Sequence, residues 1–292
     1  MNSPVLRFSK LLLPFWGFSI FIFISFVSCR KADRDTDTTT SMITDNSFSN
    51  FFFSDIFKQV HQFALSDSSM NSLGSYFISD TICLDAVSHV KPAGVFPDTI
   101  ILNFGPENGA ACADGNFRSG KLKITCNGRY GSLLKNFSVS PENYYLNKTK
   151  VEGKMDISCR GKNSAQNLYF TVKISGGEIT NDSMRLQYYS PDSGQTATLQ
   201  YEWITGSSTA TVGDDAFQIT GSYGGITSKG TTYKGLITGG LKYQTDCKWI
   251  ISGTEKITPL NLSPREVDYG SGCDNKCKVT INGKDVEVNL LP

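Results

Sequence analysis

The chain of 292 residues contains two histidines, His61 and His89, and eight cysteines. A hydroxyl or thiol activated by imidazole would have to recruit one of those two rings. No Gly-x-Ser-x-Gly elbow and no His-Glu-x-x-His pair accompanies them. His61 falls in a helical pattern, and His89 sits in what reads as a loop before Lys91-Pro92. Both read as structural. Glu107, Asp114, Asp214, Asp215 and Asp274 are the candidates for a glycosidase-type acid/base pair, which needs two carboxyl groups facing one substrate. They lie in Gly-rich turns, where such residues cap or are solvated. Tyr188, Tyr189, Tyr201 and Trp203 could form a carbohydrate-stacking platform, although alternating aromatics in strands read first as sheet packing. Cys273-x-x-x-Cys277 with Asp274 lacks the second cysteine pair that a zinc site of this type needs. The expectation is no catalytic centre, no cofactor and no metal.

The stretch that organises the chain is Phe26-Val27-Ser28-Cys29. Arg7 and Lys10 precede an apolar run over residues 11–27, and the small Ser28 follows it. That is the pattern of a secretory leader, and the run is short for a spanning helix of about 20 residues. A cysteine at the cut resembles a bacterial lipobox, with Phe26 where Leu is usual. The resemblance implies that Cys29 receives lipid and that residues 1–28 are removed. Arg30 follows the cysteine, which by analogy with inner-membrane retention signals implies the outer membrane.

Arg7 and Lys10 leave with the leader, so 26 Lys+Arg face 27 Asp+Glu in the remainder. With no long basic run, nucleic acid is excluded as a partner on electrostatic grounds. Seven cysteines follow Cys29, and an exported chain makes disulfides the default. The odd number leaves at least one thiol over.

Residues 29–50 are polar, rich in Thr, Asp and Ser, and read as a flexible tether. Residues 51–65 read as the one helix, with Phe53, Ile56, Phe57, Val60, Phe63 and Ala64 on an apolar stripe. Ser54, Asp55, Lys58, Gln59 and Gln62 fall mostly on the other side. Thereafter short alternating runs predict strands at 99–104, 121–126, 150–159, 167–175, 184–189, 196–204, 217–222, 232–238, 247–253, 265–269, 278–282 and 285–290. The expected fold is mainly β: a large antiparallel sheet or two packed sheets, with the amphipathic helix on one face, as a single domain over residues 51–292.

Two stretches echo each other, at about 99–126 and 265–290. Ile101-Leu102-Asn103-Phe104-Gly105 leads through Cys112 and Asp114-Gly115-Asn116 into a strand. Val267-Asp268-Tyr269-Gly270 leads through Cys273-Asp274-Asn275 into another. Each reads as strand, aromatic-Gly, a loop with Cys and Asp, then strand. The glycine lets the chain leave at positive φ and the Asx side chains close the turn.

These phrases carry a family resemblance. Phe104-Gly105 with Cys112-Ala113-Asp114-Gly115-Asn116-Phe117-Arg118-Ser119-Gly120, then Tyr144-Tyr145-Leu146-Asn147 with Val151-Glu152-Gly153, are followed by Cys247, Ser252-Gly253 and the run 267–275. From about Cys83 to Leu290 the chain resembles a group of uncharacterised Bacteroidota lipoproteins, which brings no known activity. The resemblance implies disulfides Cys83–Cys112 and Cys247–Cys273, a third bridge Cys126–Cys159, and Cys277 as the leftover thiol.

The functional expectation is a lipid-anchored, non-enzymatic envelope protein of the outer membrane. It would be a binding or scaffold module with an unidentified protein or glycan partner. The alternatives are a carrier of a hydrophobic ligand beneath Phe53, Phe57 and Phe63, or a glycan-directed binding protein or enzyme.

Overall fold

The computed structural model describes residues 39–73, 83–106, 109–189 and 196–291, all within one compact unit. The leader, Cys29 and Glu107 lie outside those residues. The helix α1 spans Ser41–Ser66, ten residues earlier than the periodicity predicts. Residues 41–50 are therefore core, and the expected tether is shortened accordingly. Their Ser, Thr and Asn content gives weak helix propensity. The helix forms there because its polar groups find partners on the surrounding sheet. Tyr188 donates to Asn50 Oδ1 (3.2 Å), Ser228 N–H to Asp45 Oδ2 (2.9 Å), and Asn46 Nδ2 to Tyr223 (2.8 Å).

The chain continues through β1 (Ala86–His89), β2 (Asp98–Asn103), β3 (Ala110–Ala111), β4 (Phe117–Cys126), β5 (Asn136–Leu146) and β6 (Thr149–Lys162). Next come β7 (Leu168–Thr180), β8 (Arg185–Tyr189), β9 (Thr196–Thr205), β10 (Ala216–Ile226), β11 (Thr232–Ile237) and β12 (Leu241–Gln244). The last four are β13 (Ser252–Pro259), β14 (Arg265–Ser271), β15 (Lys276–Ile281) and β16 (Lys284–Asn289). All belong to one antiparallel sheet, not two packed ones, running β1-β2-β4-β5-β6-β7 and then through β8 or β9 to β10. From β10 it continues β11-β13-β14-β15-β16, with β3 beside β4 and β12 joining β10 to β13.

The sheet curls around the helix. Strands near both ends of the order reach α1 or its start: Phe63 packs on His89 of β1, and Thr39, just before the helix, accepts from Arg265 of β14. Phe57 in the middle meets Phe170, Tyr201 and Phe217 of β7, β9 and β10. Hence the polar side of α1 faces no solvent. Asp55, Lys58, Gln59 and Gln62 are as buried as the Phe stripe. The single helix packs against the large antiparallel sheet as expected, and its polar side is buried as well. Along the strands inward residues such as Ile124, Val139, Ile157 and Val172 alternate with outward Lys123, Lys154 and Lys173.

The sequence reading missed β5, whose Pro141 argues against a central strand. Pro141 sits where the β5–β6 register shifts, between Val139 and Tyr144, so no ladder bond is lost there. On the other side Gly120 (φ +81°) faces Asn143 (φ +47°), and a Cβ at 120 would fall 1.8 Å from the Asn143 carbonyl oxygen. Only glycine fits that bulge. The strand expected at 247–253 is instead a loop, and β13 begins at Ser252. His89, expected in a loop, is the last residue of β1.

The two echoing stretches share some local features, although Gly105 follows β2 and Gly270 lies within β14. Gly105 and Gly270 both take positive φ (+88° and +63°). Asp114 Oδ1 accepts from Asn116 N–H (3.1 Å), as Asp274 Oδ1 accepts from Lys276 N–H (2.9 Å).

Candidate functional site

One side of α1, bearing Phe51, Ser54 and Lys58, is roofed by loops and not by strands. One loop follows Cys112, which is bonded to Cys83 (Cα–Cα 5.2 Å). The other contains Cys247, bonded to Cys273 (Cα–Cα 5.8 Å). Between these two stapled loops and the helix lies a cavity of about 260 Å³, reached by Lys58, Asp114, Tyr243, Asp246 and Lys248. That is near the lower limit for a small-molecule site.

Its inner wall is an ionic network. Arg118, fully buried on β4, donates Nε to Asp55 Oδ2 (3.1 Å) and Nη2 to Asp55 Oδ1, and both terminal nitrogens to Asp114 (3.0 and 2.7 Å). Lys58 Nζ donates to Asp114 Oδ2 (3.0 Å), and the Tyr144 hydroxyl to Asp55 Oδ2 (2.9 Å). Burial alone would raise the Asp114 carboxyl. The Arg118 guanidinium and the Lys58 ammonium outweigh it and hold the group well below the usual carboxylate range. Burial would likewise lower Arg118, and Asp55 and Asp114 reverse that, holding its proton more tightly than usual. Two cations and two anions balance. A carboxylate held this firmly ionised accepts hydrogen bonds and cannot deliver a proton at neutral pH.

A second network surrounds His61. Its Nε2 lies 2.9 Å from Asp215 Oδ2 and its Nδ1 2.9 Å from the Tyr130 hydroxyl, while Trp203 Nε1 donates to Asp215 Oδ1 (2.9 Å). With Asp215 accepting from Nε2–H, Nδ1 accepts from Tyr130. Burial raises the Asp215 carboxyl, opposed by His61 and Trp203. The constellation resembles the base and orienter of a triad, yet both side chains have no exposure and neither ring nitrogen faces a serine, threonine or cysteine. His89 is bound by Asp98 (2.7 Å) and Asp67 (3.4 Å).

A third network lies deeper. Glu255 accepts from Tyr223, Tyr269 (2.7 Å) and Asn46 (2.9 Å). Burial raises its carboxyl above the usual range, opposed by those three donors.

No protein-family model, no curated protein and no solved structure matches the chain. The site therefore rests on its own geometry.

The candidate carboxylates do not converge. Asp215 belongs to His61, Asp114 to Arg118, Asp214 accepts from Thr209 (2.9 Å), and Asp274 closes its own turn. Asp55 and Asp114 do meet, across Arg118, a pairing no sequence spacing announces. Tyr188, Tyr201 and Trp203 are buried, so they form no stacking platform, and Tyr189 carries no described side chain. Phe53 stacks on Tyr188 (5.3 Å), Phe57 is filled in by its three aromatic neighbours, and Phe63 is 4% exposed. Protein, not ligand space, occupies the far side of those rings.

Cys277 is a free buried thiol, but so are Cys126 and Cys159. The expected Cys126–Cys159 bridge is absent because β5 intervenes: Cys126 opposes Phe137, which opposes Ile157, two residues before Cys159. Two strand spacings separate the backbones by about 9.6 Å, beyond the roughly 7 Å that a disulfide spans.

Proposed function

We propose that the chain is a lipid-anchored protein of the cell envelope, held at the outer membrane through Cys29, whose folded part is a non-enzymatic binding or scaffold module. On this reading it stands with the uncharacterised Bacteroidota lipoproteins that it resembles. The observation that carries the proposal is the pair of stapled loops. Disulfides at Cys83–Cys112 and Cys247–Cys273 belong to an oxidising compartment, which agrees with a leader ending at Ser28. The ionisable side chains with shifted proton affinities support the second half. Arg118, Asp114, Asp215 and Glu255 satisfy one another or the helix and present no nucleophile to a substrate. The module would bind through its surface, to a protein or glycan.

The test is metabolic labelling with a clickable palmitate, comparing the native chain with Cys29→Ser and separating the membranes. Label lost in the variant, with native protein in the outer-membrane fraction, supports the anchor. Equal labelling of both chains overturns it.

A further inference from the structure

Three adjacent connections project from the end of the sheet nearest the C-terminus of α1. Residues 90–97 join β1 to β2, residues 127–135 join β4 to β5, and residues 159–167 run from the end of β6 into β7. Their proximity is direct. Leu134 N–H donates to the Cys159 carbonyl (3.0 Å) and Cys159 N–H to the Lys135 carbonyl (2.9 Å). A Cβ on Gly161 would lie 3.1 Å from Leu133 Cδ1. The segment after α1 fills the gap towards the first connection, with Asn71 bridged to Tyr130 and Ser69 beside Gly94.

The composition of this end is one-sided. The three connections carry Lys91, Arg129, Lys135, Arg160 and Lys162 and no aspartate or glutamate. Among the described residues none of the five enters an ion pair, and only Arg160 spends a side-chain donor within the fold, on Thr171 Oγ1 (3.0 Å). Asp67 and Asp98 nearby are turned onto His89. Asp214 and Asp246 are exposed carboxylates beside it: Asp214 takes the Thr209 hydroxyl, and Asp246 follows Thr245, whose N–H donates to the Asp215 carbonyl. Amid these cations stand aliphatic side chains that the fold leaves in water: Val90 is 71%, Leu134 65%, Leu133 61% and Val95 47% exposed. Leu134 moreover holds φ +59°, an unfavourable conformation for leucine, at a position where no core packing rewards it.

We propose that this end of the fold docks on an anionic lipid surface, with Val90, Val95, Leu133 and Leu134 entering the interface and the five cations meeting phosphate headgroups. Aliphatic tips ringed by unpaired cations match a bilayer, whose interface takes apolar side chains and whose anionic headgroups attract each Lys or Arg. Docking would fix the orientation of a module that a tether alone would leave free. The inference deepens the envelope reading and rests on it only for the membrane's presence.

The test places an environment-sensitive thiol label at Leu133→Cys, or at Leu236→Cys on the outer face of β11 as a control, in the full chain on vesicles containing phosphatidylglycerol and nitroxide-labelled lipid. Flotation with the vesicles reads the anchor. Where flotation fails, a histidine tag after Pro292 and a chelating lipid hold the chain there, so the loops are tested regardless. Docking predicts quenching at position 133 and not at 236, lost in phosphatidylcholine vesicles. The pair Arg129→Glu, on an exposed loop, and Arg160→Glu, exposed near the end of β6, would shift the docked-to-free ratio by roughly tenfold or more. Equal quenching at 133 and 236 on phosphatidylglycerol vesicles overturns the proposal. So does quenching at 133 indifferent to lipid charge and to the two reversals.

Discussion

His61 Nε2 lies 2.9 Å from Asp215 Oδ2, and neither side chain touches solvent. The same carboxylate accepts from Trp203, so one aspartate ties the helix to β9. The pair is a strut. Asp215→Ala leaves an imidazole and an indole N–H without their partner in the core, and should destabilise the fold by about 2–3 kcal/mol. Urea unfolding would show a lower midpoint at unchanged slope. A wild-type midpoint would mean that the polar contacts contribute nothing.

Arg118 is the larger case, because two buried carboxylates depend on it. Arg118→Met strands Asp55 and Asp114 and should cost about 3–5 kcal/mol. Arg118→Lys keeps the charge but loses the fork that spans both carboxylates, and should recover only part of that loss. Thermal unfolding of the two variants side by side checks the order.

The acid dependence follows from the same network. Asp114 is held below its ordinary value of 3.8 in the fold. Its contribution is complete above that value and disappears as pH falls further, because the unfolded chain binds the proton first. The native chain should lose stability on going from pH 5 to pH 3, and Asp114→Asn should lose less. Parallel losses would remove Asp114 from the explanation.

Glu255 has the opposite sign. Its carboxyl is raised above 4.5, so the folded state holds the proton longer than the unfolded chain. That favours folding most in acid and fades as pH rises past the ordinary value. The stability advantage of the native chain over Glu255→Gln should therefore narrow between pH 4 and pH 7. A constant difference would show that Glu255 does not titrate with folding.

The strand pattern was legible because alternation is local: inward Ile100, Leu102, Leu122 and Ile124 announce β2 and β4 directly. The helix was legible only where Phe recurs. Asp45 and Asn46 read as tether because their partners Ser228 and Tyr223 lie far along the chain and the sequence marks no connection. The same blindness hid Asp55–Arg118–Asp114, since 63 residues separate Asp55 from its arginine. Pro141 concealed β5 because a proline at a bulge looks like a proline in a turn. The positive φ of Gly105 and Gly270 was readable, since that conformation has few residue solutions.

Thiol chemistry offers a count. Cys126, Cys159 and Cys277 are buried, and burial pushes the Cys126 thiol up to about 11 and Cys277 to about 12. None of the three should react with a thiol reagent in the native protein, and all three should react once it is unfolded. A fourth reactive thiol would be Cys29 without lipid. Reducing Cys83–Cys112 and Cys247–Cys273, 29 and 26 residues apart, should lower stability by about 3 kcal/mol each in the loop-entropy picture.

The envelope reading is tested most directly by the intact mass of the protein taken from cells. It predicts a chain that begins at Cys29, lacks residues 1–28, and carries the added mass of a diacylglycerol and an acyl group. A chain that retains Met1, or begins elsewhere without lipid, would contradict it.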